Sequence, residues 1–159
     1  MAIGMSAGAN TLLHMATQQP SRIDALIHVS GTPRFPAPAR AIMRTMTEDS
    51  RSEAEWTEMH RRHVHGVDQI RALWRHARGF ADDRQDMNFD AASLSVVTAR
   101  SLVVHGDRDP LYPVELAVEL YRAIPASALW VVPNGGHGPI FGEQAESFAA
   151  TAAGFLGGV

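Results

Sequence analysis

The sequence predicts an α/β fold, a parallel sheet of about four strands flanked by helices, with a helical insertion part-way along. Three observations carry this. Short apolar runs of strand length recur, and each is followed by a stretch with helical periodicity. Prolines punctuate the junctions, and one central segment carries helical patterning with no strand signal. Strands alternating with helices argue for parallel pairing with helices on the sheet faces.

Met1-Ala2-Ile3 are the residues available for a first strand, ahead of Gly4-Met5-Ser6-Ala7-Gly8. Helix formers Ala7, Ala9, Leu12, Leu13, Met15 and Ala16 then run to Gln18-Gln19-Pro20, where the proline discourages continuation. Ala25-Leu26-Ile27-His28-Val29 reads as a second strand, ending in the turn Ser30-Gly31-Thr32-Pro33. The insertion, 34–88, has Pro33, Pro36 and Pro38 at its mouth. Ser52 and Glu55 have capping-box spacing, placing Trp56, Met59, His60, His63 and Val64 on one helical face, with Gly66 as the stop. Asp68 is the expected N-cap of a second insertion helix, where Ile70, Leu73, Trp74 and Ala77 fall at i, i+3, i+4 and i+7 before Gly79. Leu102-Val103-Val104 forms a third strand, and Val114 to Ile124 a helix stopped by Pro125. Leu129-Trp130-Val131-Val132 forms a fourth strand, and Ala145, Phe148, Ala149, Ala152, Phe155 and Leu156 make the stripe of a final helix. The expected organisation is a core of 1–33 with 89–159, interrupted by the insertion 34–88.

The 159 residues are 45% hydrophobic and 19% charged, a globular composition for one domain. A net charge of −3 gives no electrostatic reason to expect nucleic acid or an anionic membrane as partner. No apolar run approaches the roughly 20 residues a membrane helix needs, and the N-terminus lacks the pattern of a signal peptide, so a cytoplasmic location is expected. The absence of cysteine excludes disulfides and thiolate metal sites. His60, His63 and His65 cluster without the HExxH form and read as solvated histidines; no metal or other cofactor is expected. His14, His28 and His105 read as structural.

A serine between two glycines at a strand-to-helix junction is the pattern of a nucleophile elbow, where the hydroxyl is lifted clear of a sharp turn. Gly4 and Gly8 are expected to be glycine because a Cβ would collide with the neighbouring strand and helix. A serine hydroxyl needs an imidazole to take its proton, and the imidazole needs a carboxylate to fix its tautomer. Both come later in the chain, in the order serine, acid, histidine, each just after an apolar run. His105-Gly106-Asp107-Arg108-Asp109-Pro110-Leu111-Tyr112-Pro113 leaves the third strand, and Pro133-Asn134-Gly135-Gly136-His137-Gly138 leaves the fourth. In a parallel sheet such loops share one edge, so Ser6, His137 and one of Asp107 and Asp109 are expected to meet.

Together Gly4 to Gly8, Gly106 to Pro113 and Gly136-His137-Gly138 resemble the α/β-hydrolase superfamily, specifically its single-domain members with a small helical cap, over Met1 to about Leu156. The resemblance selects Asp109 as the acid, since it lies a few residues before the helix-opening Pro113, and leaves Asp107 to support the turn. It implies a partial α/β-hydrolase fold in which Ser6, Asp109 and His137 are catalytic and the backbone N–H of Ala7 is one oxyanion donor. It implies that 34–88 is the cap, with Met5, Met43, Met46, Trp56 and Trp74 as candidate substrate contacts. Ala9 stands where many relatives have another glycine.

The implied activity is serine-dependent hydrolysis of a small apolar ester, lactone or related carbonyl compound; haloperoxidase-like and carbon–carbon bond hydrolysis use the same triad. The family's sheet has about eight strands and its second oxyanion donor comes from an earlier loop, so the chain is expected to correspond to the C-terminal portion. The first strand would then be an exposed apolar edge able to associate with a second copy or with an N-terminal fragment. The alternative is therefore a non-catalytic remnant that assembles through that edge.

Overall fold

The computed structural model describes residues 1–158. In chain order the elements are β1 (Ala2–Met5), α1 (Ala7–Gln18), β2 (Ala25–Val29), α2 (Ala37–Arg44), α3 (Glu53–Arg62), α4 (Val67–Gly79), α5 (Ala91–Leu94), β3 (Arg100–Gly106), α6 (Val114–Ala123), β4 (Ser127–Val132) and α7 (Ala145–Gly157). They form two compact units, one of Met1–Arg34 with the segment from Met87 onward, the other of Phe35–Asp86.

The first unit is built on a four-stranded sheet in the order β1-β2-β3-β4, every pair parallel. Gly4 is level with His28, His28 with Val103, and Val104 with Trp130, so all four strands deliver their carboxyl ends to the same edge. Side chains alternate between faces along each strand. Ile27, Val29, Leu102, Val104 and Val132 form one face, packed with Ala152, Phe148, Phe155 and Leu156 of α7. The alternate residues Leu26, His28, Val103 and His105 are buried on the other face, where α1 lies against β1 and β2 and α6 against β3 and β4.

β3 is longer than the apolar run suggests, because Ser101 and His105 continue the strand as fully buried polar residues. The Ser101 hydroxyl donates to Ala99 O at 3.0 Å and His105 Nε2–H to Tyr112 O at 2.9 Å, which offsets part of the cost of burying them, while His105 Nδ1 is buried with no hydrogen-bond partner. The four-residue α5 has no periodicity to reveal it; the Asp90–Ser93 capping box is its only local signal.

His28 has no exposed surface, and the loss of solvation on burial lowers its pKa to about 4. Between pH 6.5 and 4 the unfolded chain therefore binds a proton that the folded chain refuses, so stability falls as the pH falls, by about 3 kcal/mol at the acid end. Urea unfolding at pH 7.5 and pH 4.5 should show this loss, and His28→Leu should flatten it. An unchanged pH dependence in the variant would remove His28 as its source.

The chain leaves this unit and returns to it through a narrow neck. Arg34 and Asn88 form an isolated antiparallel bridge, and Phe89 N–H donates to Pro33 O at 3.0 Å. The Arg34 guanidinium makes a two-pronged ion pair with Glu119 of α6.

The second unit contains α2, α3 and α4 around Phe35, Ala39, Ile70, Trp74 and Ala81. Its buried cation, Arg40, donates to the carbonyls of Phe35, Phe80, Ala81 and Asp83, tying the first residue of the unit to its last turn. The Ser52–Glu55 capping box opens α3, but that helix ends at Arg62, so His63 is its extended cap residue and Val64 lies beyond it, exposed. Gly66 does not stop α3. At φ 81° it is the N-cap of α4, and Asp68 sits inside the first turn rather than capping it. Only glycine takes that backbone conformation cheaply, which lets the chain turn into α4 before Asp68 is reached.

Candidate active site

The turn after β1 places Ser6 at φ 52° and ψ −119°, outside the comfortable regions for an L-residue. Its N–H donates to Val29 O at 2.8 Å and its carbonyl accepts from Asn10 N–H at 3.0 Å, so the strained residue is held by β2 on one side and α1 on the other. Strain of this kind costs on the order of 1–3 kcal/mol and persists only where the surroundings over-determine it. Although Ser6 is the N-cap of α1, its side chain caps nothing; the hydroxyl points away to His137.

Gly4 is required by close approach of strand and helix, since a Cβ there would lie 2.6 Å from the carbonyl carbon and oxygen of Gly8 and 2.7 Å from Leu12 Cδ1. The expectation for Gly8 is corrected. A Cβ on Gly8 meets nothing within 4 Å, because the residue is on the exposed side of α1 and contributes to the approach only through its backbone.

Asp109 follows β3. Its N–H donates to Gly106 O at 3.2 Å, and its Oδ1 accepts from the N–H groups of Leu111 at 2.8 Å and Tyr112 at 3.2 Å. The side chain is wholly buried. Burial alone would raise the carboxyl pKa, but the hydrogen bonds from His137, Leu111 and Tyr112 outweigh it and hold the group below the usual carboxylate range.

His137 follows β4 through the turn Val132-Pro133-Asn134-Gly135, closed by Gly135 N–H to Val132 O at 3.1 Å. Asn134 takes φ 55° after the proline, as this turn type requires. The acid and histidine loops are zipped together by Asp107 N–H to Val132 O and Arg108 N–H to Gly135 O, at 3.3 and 2.9 Å.

These loops bring three side chains into one line. His137 Nδ1 is 2.8 Å from Asp109 Oδ2, and His137 Nε2 is 2.8 Å from Ser6 Oγ. A carboxylate only accepts, so Nδ1 carries the ring proton and Nε2 is left to accept from the serine hydroxyl. Asp107 is exposed and takes no part. Ala7 is the first residue of α1, so its N–H belongs to the unpaired first-turn donors beside Ser6. Met5 is half-buried, and its Cε approaches the position a Gly138 side chain would take.

Met43, Met46, Trp56 and Trp74 all belong to the second unit. There Trp56 and Trp74 pack edge-to-face at 4.4 Å, and His60 stacks on Trp56 at 5.8 Å. Among the described residues no three His, Cys, Asp or Glu side chains could together hold a metal ion, and no helix is long and apolar enough to cross a membrane.

Two residues at the site are not singled out by the sequence pattern, Tyr112 and Asn10. The Tyr112 ring is 3% exposed and lies edge-to-face with the His137 ring at 5.4 Å and 71°. Its hydroxyl faces the Asn10 amide, whose oxygen accepts from Thr32 N–H at 3.0 Å. The available signals were faint: a tyrosine directly before Pro113, and an amide one helical turn after Ser6.

This fold recurs in solved structures. The chain superimposes over 99% of its length on MGS-M2, an α/β hydrolase enzyme from a Medee basin deep-sea metagenome library, with a TM-score of 0.74 and 16% identity. It has a partial α/β-hydrolase fold. Other structures similar to this hydrolase fold include CarC, a serine hydrolase involved in carbazole degradation, and 2-hydroxy-6-oxo-6-phenylhexa-2,4-dienoate hydrolase from a Rhodococcus strain. Their TM-scores are 0.69 and 0.65, their identities 21% and 16%, and they match over 98% and 97% of the chain. The chain spans 64%, 62% and 62% of these three proteins respectively. A family model described as TAP-like protein matches residues 81–157, which include Asp109 and His137 but not Ser6. No curated protein sequence matches the chain.

Proposed function

We propose that the chain carries a serine hydrolase site acting on a small, largely apolar ester, lactone or related carbonyl compound. The observation that carries this reading is the continuous relay Asp109–His137–Ser6, with both links at 2.8 Å. Ser6 Oγ attacks the carbonyl carbon as its proton passes to His137 Nε2; Asp109 stabilises the imidazolium that results. The proton then goes to the leaving oxygen, and a water activated by the same nitrogen releases the acyl group from Ser6. The Ala7 N–H, at the start of α1, stabilises the developing oxyanion. Met5 is the substrate contact assigned within this unit. The similarity to the hydrolase that cleaves a 2-hydroxy-6-oxo-dienoate makes carbon–carbon cleavage the competing chemistry for the same triad.

A second reading, assembly through β1, is favoured by one observation. β1 is an edge of the sheet, with Ile3 50% and Met1 73% exposed.

Intact-mass analysis after treatment with a fluorophosphonate tests the first reading, with light scattering on the same sample for the second. A single adduct that is lost in Ser6→Ala and His137→Ala is expected. No adduct on a folded chain would overturn the hydrolase reading, and a monomer in light scattering would count against self-assembly. A panel of aryl esters, lactones and a vinylogous diketone then separates ester from carbon–carbon cleavage.

A further inference from the structure

We propose that Tyr112, anchored by Asn10, is a positioning residue that holds the His137 imidazole in line between Ser6 and Asp109; the inference rests on the hydrolase reading above. The imidazole must present Nδ1–H to one partner and Nε2 to the other, and a modest rotation of the ring loses both. The His137 side chain is 23% exposed, so solvent reaches part of it and packing does not fix it from every side. The buried Tyr112 ring supplies a wall at 5.4 Å.

The same residue also orients the acid. Asp109 divides its oxygens, Oδ2 to His137 and Oδ1 to the N–H groups of Leu111 and Tyr112. The Tyr112 carbonyl is in turn fixed by His105 Nε2–H at 2.9 Å. One residue therefore touches the imidazole through its ring and the carboxylate through its backbone.

The ring is held by its hydroxyl. Asn10 Oδ1 accepts from Thr32 N–H at 3.0 Å, which fixes the amide so that its NH₂ end is the one left to donate to Tyr112 Oη. Asn10 lies in α1, and its own N–H bonds the Ser6 carbonyl. The helix carrying the nucleophile is thus joined to the wall behind the base by a route separate from the relay itself. Burial lifts the Tyr112 pKa to about 12, so the phenol stays protonated at neutral pH and acts by position, not by proton transfer.

The test measures His137 directly by long-range ¹H–¹⁵N NMR of the ring tautomer, beside the two-step kinetics of fluorophosphonate labelling. Wild type, Tyr112→Phe, Tyr112→Val, Asn10→Ala and the double variant Asn10→Ala/Tyr112→Phe are compared. Wild type should show one Nδ1–H tautomer. Tyr112→Val should show a mixture, with the maximal labelling rate down by about 10²-fold and the half-saturating probe concentration unchanged. Tyr112→Phe and Asn10→Ala both remove the Tyr112–Asn10 contact, and Asn10→Ala also strands Thr32 N–H, so each should lose less than Tyr112→Val and the double variant should be no worse than Asn10→Ala alone. A wild-type tautomer and rate in Tyr112→Val would overturn the proposal. If that variant does not fold, strictly additive losses in the Asn10/Tyr112 cycle would overturn it instead. A single tautomer that the variants disturb, in a wild type that forms no adduct, would leave the positioning intact and remove the hydrolase reading.

Discussion

Asp109→Asn is expected to slow covalent labelling of Ser6 by about 10⁴-fold while leaving the fold in place. The asparagine carbonyl can keep the two hydrogen bonds that Oδ1 now accepts from Leu111 and Tyr112, so the loop retains its shape. The NH₂ group then faces His137 Nδ1 where a carboxylate oxygen stood. A donor there forces Nδ1 to accept and moves the ring proton to Nε2, where it points at the serine hydroxyl. The base is then present and correctly placed but in the wrong tautomer. Asp109→Ala should behave differently, because it also strands the two N–H donors, at a cost of about 1–3 kcal/mol in stability for each. Asp107→Asn, at an exposed position, should label as wild type. If the effects at 107 and 109 were exchanged, the acid would be misassigned. The measurement is the second-order labelling rate, with an unfolding curve for each variant.

Gly106→Ala is expected to be the most damaging change that leaves every member of the relay untouched. A Cβ at Gly106 falls well inside 3.0 Å of the carbonyl carbon and oxygen of Gly135 and of the Gly136 oxygen. These are backbone atoms immediately before His137, and none is the flexible end of a side chain that could swing aside. The zipped acid and histidine loops would have to part, pulling His137 from Asp109 as they did so. Overpacking typically costs about 1–3 kcal/mol, and this contact belongs at or above the upper end. A displacement of about 1 Å between base and acid should lower labelling by at least about 10²-fold. Gly154→Ala is the matched control, since its Cβ in α7 meets nothing within 4 Å and gains helix propensity. Melting temperature and labelling rate read both effects, and a Gly106→Ala protein that matches this control would show that the loops can separate without consequence.

Much of the architecture was legible because its signals are local. Runs such as Ala25–Val29 are fully buried and end at turn residues, and α1 and α6 end close to their proline markers. The serine, acid and histidine motifs each come directly after a strand, and parallel strands carry their C-terminal loops to one edge. The hidden features depend on contacts distant in sequence. Gly4 and Gly8 look equivalent in the pattern, but only one of them has a neighbour where its Cβ would go. Gly66 and Asp68 are both plausible punctuation, and the choice between them is made by a backbone angle. Asn10 and Tyr112 are 102 positions apart, and nothing in either local context announces that one holds the other.

The neck at Arg34 and Asn88 has an evolutionary consequence. Because the strand-like bridge and the Phe89–Pro33 hydrogen bond fix the two ends of the inserted segment side by side, the sheet feels only that the ends meet, whatever lies between them. Closing a longer or shorter loop between fixed ends changes the free energy only logarithmically with its length. The helices of 35–86 are therefore open to insertion, deletion or wholesale exchange, while the loops after β1, β3 and β4 keep their spacing. Such a junction lets the segment between its ends change in length while the ends themselves stay where the sheet holds them.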